Sequence, residues 1–61
     1  MTKLKITDCK LFMTYKNDYV HEDEIIVSPD EIDRIDVGNG CIYVVLLTGS
    51  YIKTENIIKF I

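Results

Sequence analysis

The chain has 61 residues and a formal net charge of −3, and 48% of its residues are hydrophobic against 28% charged. This length suits a single small domain over residues 1–61, and a core of that size is often reinforced by oligomerisation. The composition excludes a disordered polyelectrolyte, and no apolar run approaches the ~18 residues of a membrane-spanning helix. We expect a soluble, cytoplasmic protein.

Residues 3–15 predict one long strand whose pattern changes phase. Leu4 and Ile6 share one face, whereas the apolar residues from Cys9 onwards have the opposite parity. Successive strand residues point to opposite faces, so an inserted residue near Asp8, a β-bulge, would direct both sets towards one core.

A short helical turn is predicted over residues 28–33. Ser28 and Glu31 have the spacing of a capping box, and Pro29 suits the first helical position. The apolar run that would continue a longer helix is missing, so we expect a single turn.

Turn-forming residues separate the other apolar segments, which predict strands at residues 24–27, 34–37, 41–47 and 51–54. Gly38–Gly40 and Thr48–Ser50 then close hairpins. For residues 55–61 we favour a turn and a short final strand, with a short helix capped by Thr54 as the alternative.

The predicted fold is all-β: a small antiparallel meander or barrel of about five strands with one helical turn. Its expected core contains Leu4, Ile6, Leu11, Met13, Ile25, Val27, Ile32, Ile35, Val37, Tyr43, Val45, Leu47, Ile52, Ile57 and Phe60.

Cys41 to Leu47 form an uninterrupted apolar run, so both faces of this strand need cover. With one face assigned to the core, we expect Ile42, Val44 and Leu46 to form the interface of a homodimer. The cysteines, Cys9 and Cys41, lack a Cys-x-x-Cys spacing and a secretion signal, so we expect reduced thiols. One disulfide between them is the alternative.

Charge is unevenly distributed along the chain. Residues 1–17 contain four lysines and one aspartate, a balance of +3, whereas residues 18–36 contain eight acidic residues and one arginine, a balance of −7. We expect the acidic segment to occupy loops and turns, where its side chains are exposed.

The chain contains few candidate catalytic residues. His21 is the only histidine, and no nucleophile or phosphate-binding glycine loop accompanies it. The three-residue spacing of Asp30, Asp33 and Asp36 lacks the ligand order of an EF-hand, so it favours a solvated acidic surface. We expect no enzyme activity, no cofactor and no metal.

Two functional hypotheses follow. The first is a non-enzymatic binding or regulatory protein whose acidic surface occupies a basic site on a protein partner. The expected partner-binding residues are Tyr19, Glu22, Asp23, Glu24, Asp30, Asp33, Asp36 and Tyr51. In size and charge such a domain resembles the host-enzyme inhibitors of bacteriophages and mobile elements, including uracil-DNA glycosylase inhibitors and anti-CRISPR proteins, and the resemblance implies an inhibitor.

The alternative is a small β-barrel that binds nucleic acid through its N-terminal strand. That strand carries Lys3, Lys5, Lys10 and Lys16 together with two rings suited to stacking on bases, Phe12 and Tyr15.

Overall fold

A computed structural model describes residues 2–61, which form one antiparallel sheet of six strands. The strands are β1 (Leu4–Met13), β2 (Asp18–Val27), β3 (Ile32–Gly38), β4 (Cys41–Leu46), β5 (Tyr51–Thr54) and β6 (Lys59–Phe60). The all-β prediction is confirmed. The prediction allowed a meander or a barrel, and the barrel is wrong because the sheet of the described residues is not closed.

The sheet joins two local units. β1 and β2 form a hairpin, β3 to β5 form a meander, and the strand order is β2-β1-β5-β4-β3. β1 and β5 therefore connect the two units, and β6 pairs with the start of β1. Reciprocal backbone hydrogen bonds of 2.8 and 2.9 Å between Lys3 and Ile61 extend this last pairing. The short final strand is thus confirmed over a terminal helix.

The change of face within β1 occurs at one residue whose backbone has a left-handed conformation. Leu4, Ile6 and Cys9 are all buried, and Asp8 between them has a φ of +48°. Aspartate is among the few residues that tolerate this region. The register between β1 and β2 is the same before and after Asp8, so neither strand contains an inserted residue. The predicted change of face is therefore confirmed, whereas the predicted β-bulge is wrong.

The helical turn between β2 and β3 is a 3₁₀ turn, Pro29–Glu31. The Ser28 N–H donates to Oε2 of Glu31 at 3.3 Å, and the Glu31 N–H donates to the Ser28 carbonyl at 3.0 Å. The Leu47 N–H in turn donates to the Glu31 carbonyl at 3.0 Å. This contact ties the turn to the end of β4.

The core lies on one side of the sheet. Its buried hydrophobic members come from four strands: Leu4, Ile6, Cys9, Val27, Val44 and Ile52. Thr54 is also buried, and its hydroxyl donates to the Thr7 carbonyl at 3.1 Å, which satisfies the polar group. Both cysteines are free, and burial raises the pKa of the Cys9 thiol.

The predicted face assignment of β4 is wrong. Val44 is completely buried, and Ile42 and Leu46 pack against the same core, while Tyr43 and Val45 lie on the opposite side. A continuous apolar run carries no parity signal, so the sequence left the choice of face open. Ile42, Val44 and Leu46 therefore serve the chain's own core, and the oligomer interface placed on them is wrong.

Several other residues expected in the core are exposed because they lie on the edge strand β3, in the turn after β4 or near the C-terminus. They are Ile35, Val37, Leu47, Ile57 and Phe60.

Replacing Ile52 by alanine tests where the core lies. Ile52 is 1% exposed, so Ile52→Ala should lower the free energy of unfolding by about 2–5 kcal/mol. Ile57 is 81% exposed, and Ile57→Ala should change it by no more than about 0.5 kcal/mol. Urea unfolding measures both, and equal losses would contradict this core.

Candidate functional site

The outer face of the sheet, opposite the core, carries a compact group of rings and basic side chains. Strand pairing produces two adjacent rows across β2, β1, β5 and β4: Tyr19, Phe12, Tyr51 and Val45 in one, and His21, Lys10, Lys53 and Tyr43 in the other. Side chains directly opposite each other on antiparallel strands share a face. We call the seven residues of these rows other than Val45 the aromatic–lysine face.

The four rings of this face touch one another. Phe12 stacks on Tyr51 with 5.0 Å between centroids and an interplanar angle of 22°. Tyr19 tilts against Phe12 at 4.9 Å, and Tyr43 lies 6.0 Å from Tyr51. Such pairs contribute about 0.5–1.5 kcal/mol each beyond the area they bury. The cluster is therefore preorganised, and Tyr19 at its margin is 48% exposed.

A hydrogen bond between the Tyr19 and Tyr51 hydroxyls fixes the end of the cluster. This bond, with a smaller contribution from burial, raises the pKa of Tyr51 to about 12. With this raised pKa, Tyr51 stays neutral throughout the physiological pH range, and its hydroxyl can donate or accept in the bond to Tyr19.

The two lysines of the face lie directly opposite each other. Lys10 on β1 pairs with Lys53 on β5, and Lys53 Nζ lies 5.9 Å from the centroid of the Tyr43 ring. Among residues 2–61, neither lysine forms a salt bridge. Like charges in this position repel each other, so the arrangement costs stability and favours an anionic ligand.

Two adjoining depressions lie beside the lysines. One is lined by Lys10, Tyr19, His21 and Lys53, and the other by Asp8, Lys10, His21, Lys53, Thr54 and Glu55. His21 Nε2 lies 3.1 Å from Oδ1 of Asp8 on the neighbouring strand, and both side chains are exposed. The surface therefore combines two lysines and accessible ring faces with two carboxylates at its border.

The structure does not collect the predicted acidic residues on one surface. Glu22 and Asp23 lie within β2 and not in a loop, which corrects the prediction for them, and Glu24 lies in the same strand. Asp33 and Asp36 lie on β3, at the other end of the strand order, and Asp30 lies in the 3₁₀ turn.

Salt bridges occupy part of this acidic set. Glu24 contacts Lys5 at 3.2 Å, and Arg34 contacts both Asp33 at 3.1 Å and Asp36 at 3.0 Å. These contacts, chiefly the hydrogen bond to Asp36, raise the pKa of Arg34.

Of the predicted partner-binding residues, the structure brings Tyr19 and Tyr51 into contact. Sequence reasoning missed Tyr43 and Lys53 as site residues, although a local signal was present. Lys10-x-Phe12 and Tyr51-x-Lys53 each place a lysine and a ring on one face of a strand.

Comparison with protein-family models, curated proteins and solved structures found no match to this chain. Within residues 2–61 there is no helix of the length and apolar character that crossing a membrane requires. The same residues include no group of three His, Cys, Asp or Glu side chains placed to hold a metal ion. Function is therefore inferred from the geometry of the outer face.

Tyr19→Phe tests the hydroxyl pair. The pKa of Tyr51 is raised from 10.0 to about 12 in the folded chain, so the bond stabilises the fold below pH 10.0 and this contribution is lost between pH 10.0 and about 12. In an ultraviolet titration of tyrosinate, the last tyrosine to ionise should do so at lower pH in Tyr19→Phe. The Tyr15→Phe control should leave that step in place, and an unchanged final step in Tyr19→Phe would contradict the pairing.

Proposed function

We propose that the protein is a non-enzymatic binding protein that holds single-stranded nucleic acid on the aromatic–lysine face. The observation that carries the proposal is the Lys10–Lys53 pair, which lies beside a cluster of four rings without a carboxylate partner among the described residues. Phosphates would neutralise the lysines while bases stack on the rings.

The ring cluster supports a single strand over a duplex. Single-strand binders combine a positive surface with aromatic side chains, and each stacked base contributes about 1–3 kcal/mol. Bases in a duplex are already stacked and cannot lie flat on a protein ring. Tyr19, the most exposed ring of the four, is the expected first stacking platform.

The net charge of −3 does not prevent this mode of binding, because neither Lys10 nor Lys53 forms a salt bridge among the described residues. Carboxylates do lie next to His21 on the same face, where Asp8 is 3.1 Å and Asp23 is 4.0 Å from its ring nitrogens. Screening over about 10 Å at 0.1 M salt weakens the repulsion from distant carboxylates. Binding should therefore be modest and sensitive to salt.

The inhibitor hypothesis, with an acidic surface docked on a basic protein, remains a prediction with less support. Arg34 and Lys5 neutralise three of its carboxylates, and β2 and β3 lie at opposite ends of the strand order. Its two nominated aromatic anchors, Tyr19 and Tyr51, belong to the face that we assign to nucleic acid.

Fluorescence anisotropy with a labelled oligothymidylate of about ten nucleotides tests the proposal. Lys10→Gln/Lys53→Gln should weaken binding about tenfold in low salt and reduce the slope of log K against log salt by about 1.4, the value for two lost phosphate contacts. Tyr19→Ala should weaken binding with little change in that slope.

The matched control is Lys3→Gln/Lys59→Gln, which removes the same charge near the start of β1, away from the rings. It should retain most of the affinity. Absence of binding by the wild type in low salt, or equal losses in the two double variants, would refute the proposed site. Thermal melts of each variant establish that the comparison is made on folded protein.

A further inference from the structure

The free edge of β3 is the second unexplained surface of the molecule. β3 ends the strand order and pairs with β4 alone among the described strands. Asn39 and Gly40 form a two-residue turn with φ values of +52° and +76°, so Gly38 and Cys41 make the hydrogen-bonded pair that closes it. Hydrogen-bonded and non-hydrogen-bonded pairs alternate from there back to Arg34, before which the register of β3 shifts by one residue. The backbone groups of Ile35 and Val37 therefore point away from β4, to the open edge.

This edge also exposes apolar side chains. Ile35 lies opposite the buried Val44, and Val37 lies opposite Ile42, so both belong to the core side of the sheet. They are nevertheless 46% and 77% exposed, because no further strand covers them. An open edge with apolar side chains is a template for pairing with another strand.

We propose that β3 pairs antiparallel with β3 of a second copy of this chain, about a twofold axis at Ile35. In this register Ile35 lies opposite Ile35 of the second copy, and Arg34 lies opposite Asp36. The symmetry repeats the opposite-charge pair on both sides of the axis. One strand thus supplies hydrogen-bonding groups, apolar contact and complementary charge.

Charge selects this register over its neighbours. Moving the axis to Arg34 would place two arginines opposite each other, and moving it to Asp36 would place two aspartates opposite each other. Like charges directly opposite destabilise a strand pair, so both alternatives are disfavoured.

The other edge of the sheet has the opposite character. Self-pairing of β2 about Asp23 would place Asp23 opposite its own copy and Glu22 opposite Glu24, all of them acidic. Charged residues on an edge strand are a common protection against association. The acidic segment of β2 therefore directs assembly to β3.

The dimer rests on β3 alone and does not depend on nucleic-acid binding. Antiparallel pairing about an axis perpendicular to the sheet keeps both outer faces on the same side. It would therefore present two aromatic–lysine faces on one continuous sheet, a geometry suited to two segments of one strand.

Complementary charge reversal tests the pairing, with sedimentation velocity at high micromolar concentration as the readout. The wild type should have twice the 7.1 kDa monomer mass. Arg34→Asp places acids opposite acids and Asp36→Arg places bases opposite bases, so each variant alone should be monomeric. An equimolar mixture of the two should form a heterodimer, because each acidic β3 then faces a basic one.

Three further variants keep the test decisive if a charge-reversed chain fails to fold. Val37→Asp puts a carboxylate opposite Asp33 of the second copy and should give a monomer. Ile57→Asp, at an equally exposed isoleucine elsewhere, and Asp23→Lys on β2 should leave the dimer intact. A monomeric wild type, a mixture that stays monomeric, or a dimer that persists in Val37→Asp would overturn the proposal.

Discussion

The left-handed backbone at Asp8 determines which side chains of β1, the strand that joins the two units of the sheet, face the core. β1 contacts β2, β5 and β6, so its side chains must serve both the core and the outer face. With a φ of +48° at Asp8, the strand buries Leu4 and Ile6 before it and Cys9 after it. The same change of face directs Lys10 and Phe12 outwards. One residue thus sets which side chains of β1 face the core and which lie on the outer face.

A small core explains why the outer face is built from rings. Six hydrophobic residues of the described chain are buried, which gives limited stabilisation for 61 residues. The contacts among Phe12, Tyr19, Tyr43 and Tyr51 add a second packed layer that spans four strands. Because rings can pack sideways and still present a face to solvent, this layer both stabilises the sheet and stays available for stacking.

The sequence predicted those features that local chemistry determines. Asn39 and Gly40 identified a hairpin, Ser28 to Glu31 identified the helical turn, and the parity change located the distortion near Asp8. Pairing between β1 and β5 links residues about forty positions apart, and no local pattern encodes it. Without that pairing, Phe12 could not be joined to Tyr51, nor Lys10 to Lys53. Because the apolar run of β4 is unbroken, its pattern does not show which face is buried. The acidic residues of β2 were predicted to lie in a loop, but they lie in an edge strand.

Backbone amides followed in ¹⁵N–¹H correlation spectra during addition of a short oligothymidylate show whether a ligand binds on the outer face of β1 and β5. Shift changes should concentrate at Lys10 to Phe12 and at Tyr51 to Lys53, extend to Tyr19 and Tyr43, and reverse in high salt. Changes centred on the acidic residues of β2 or on the 3₁₀ turn, or spectra that stay unchanged in low salt, would rule out binding at this face.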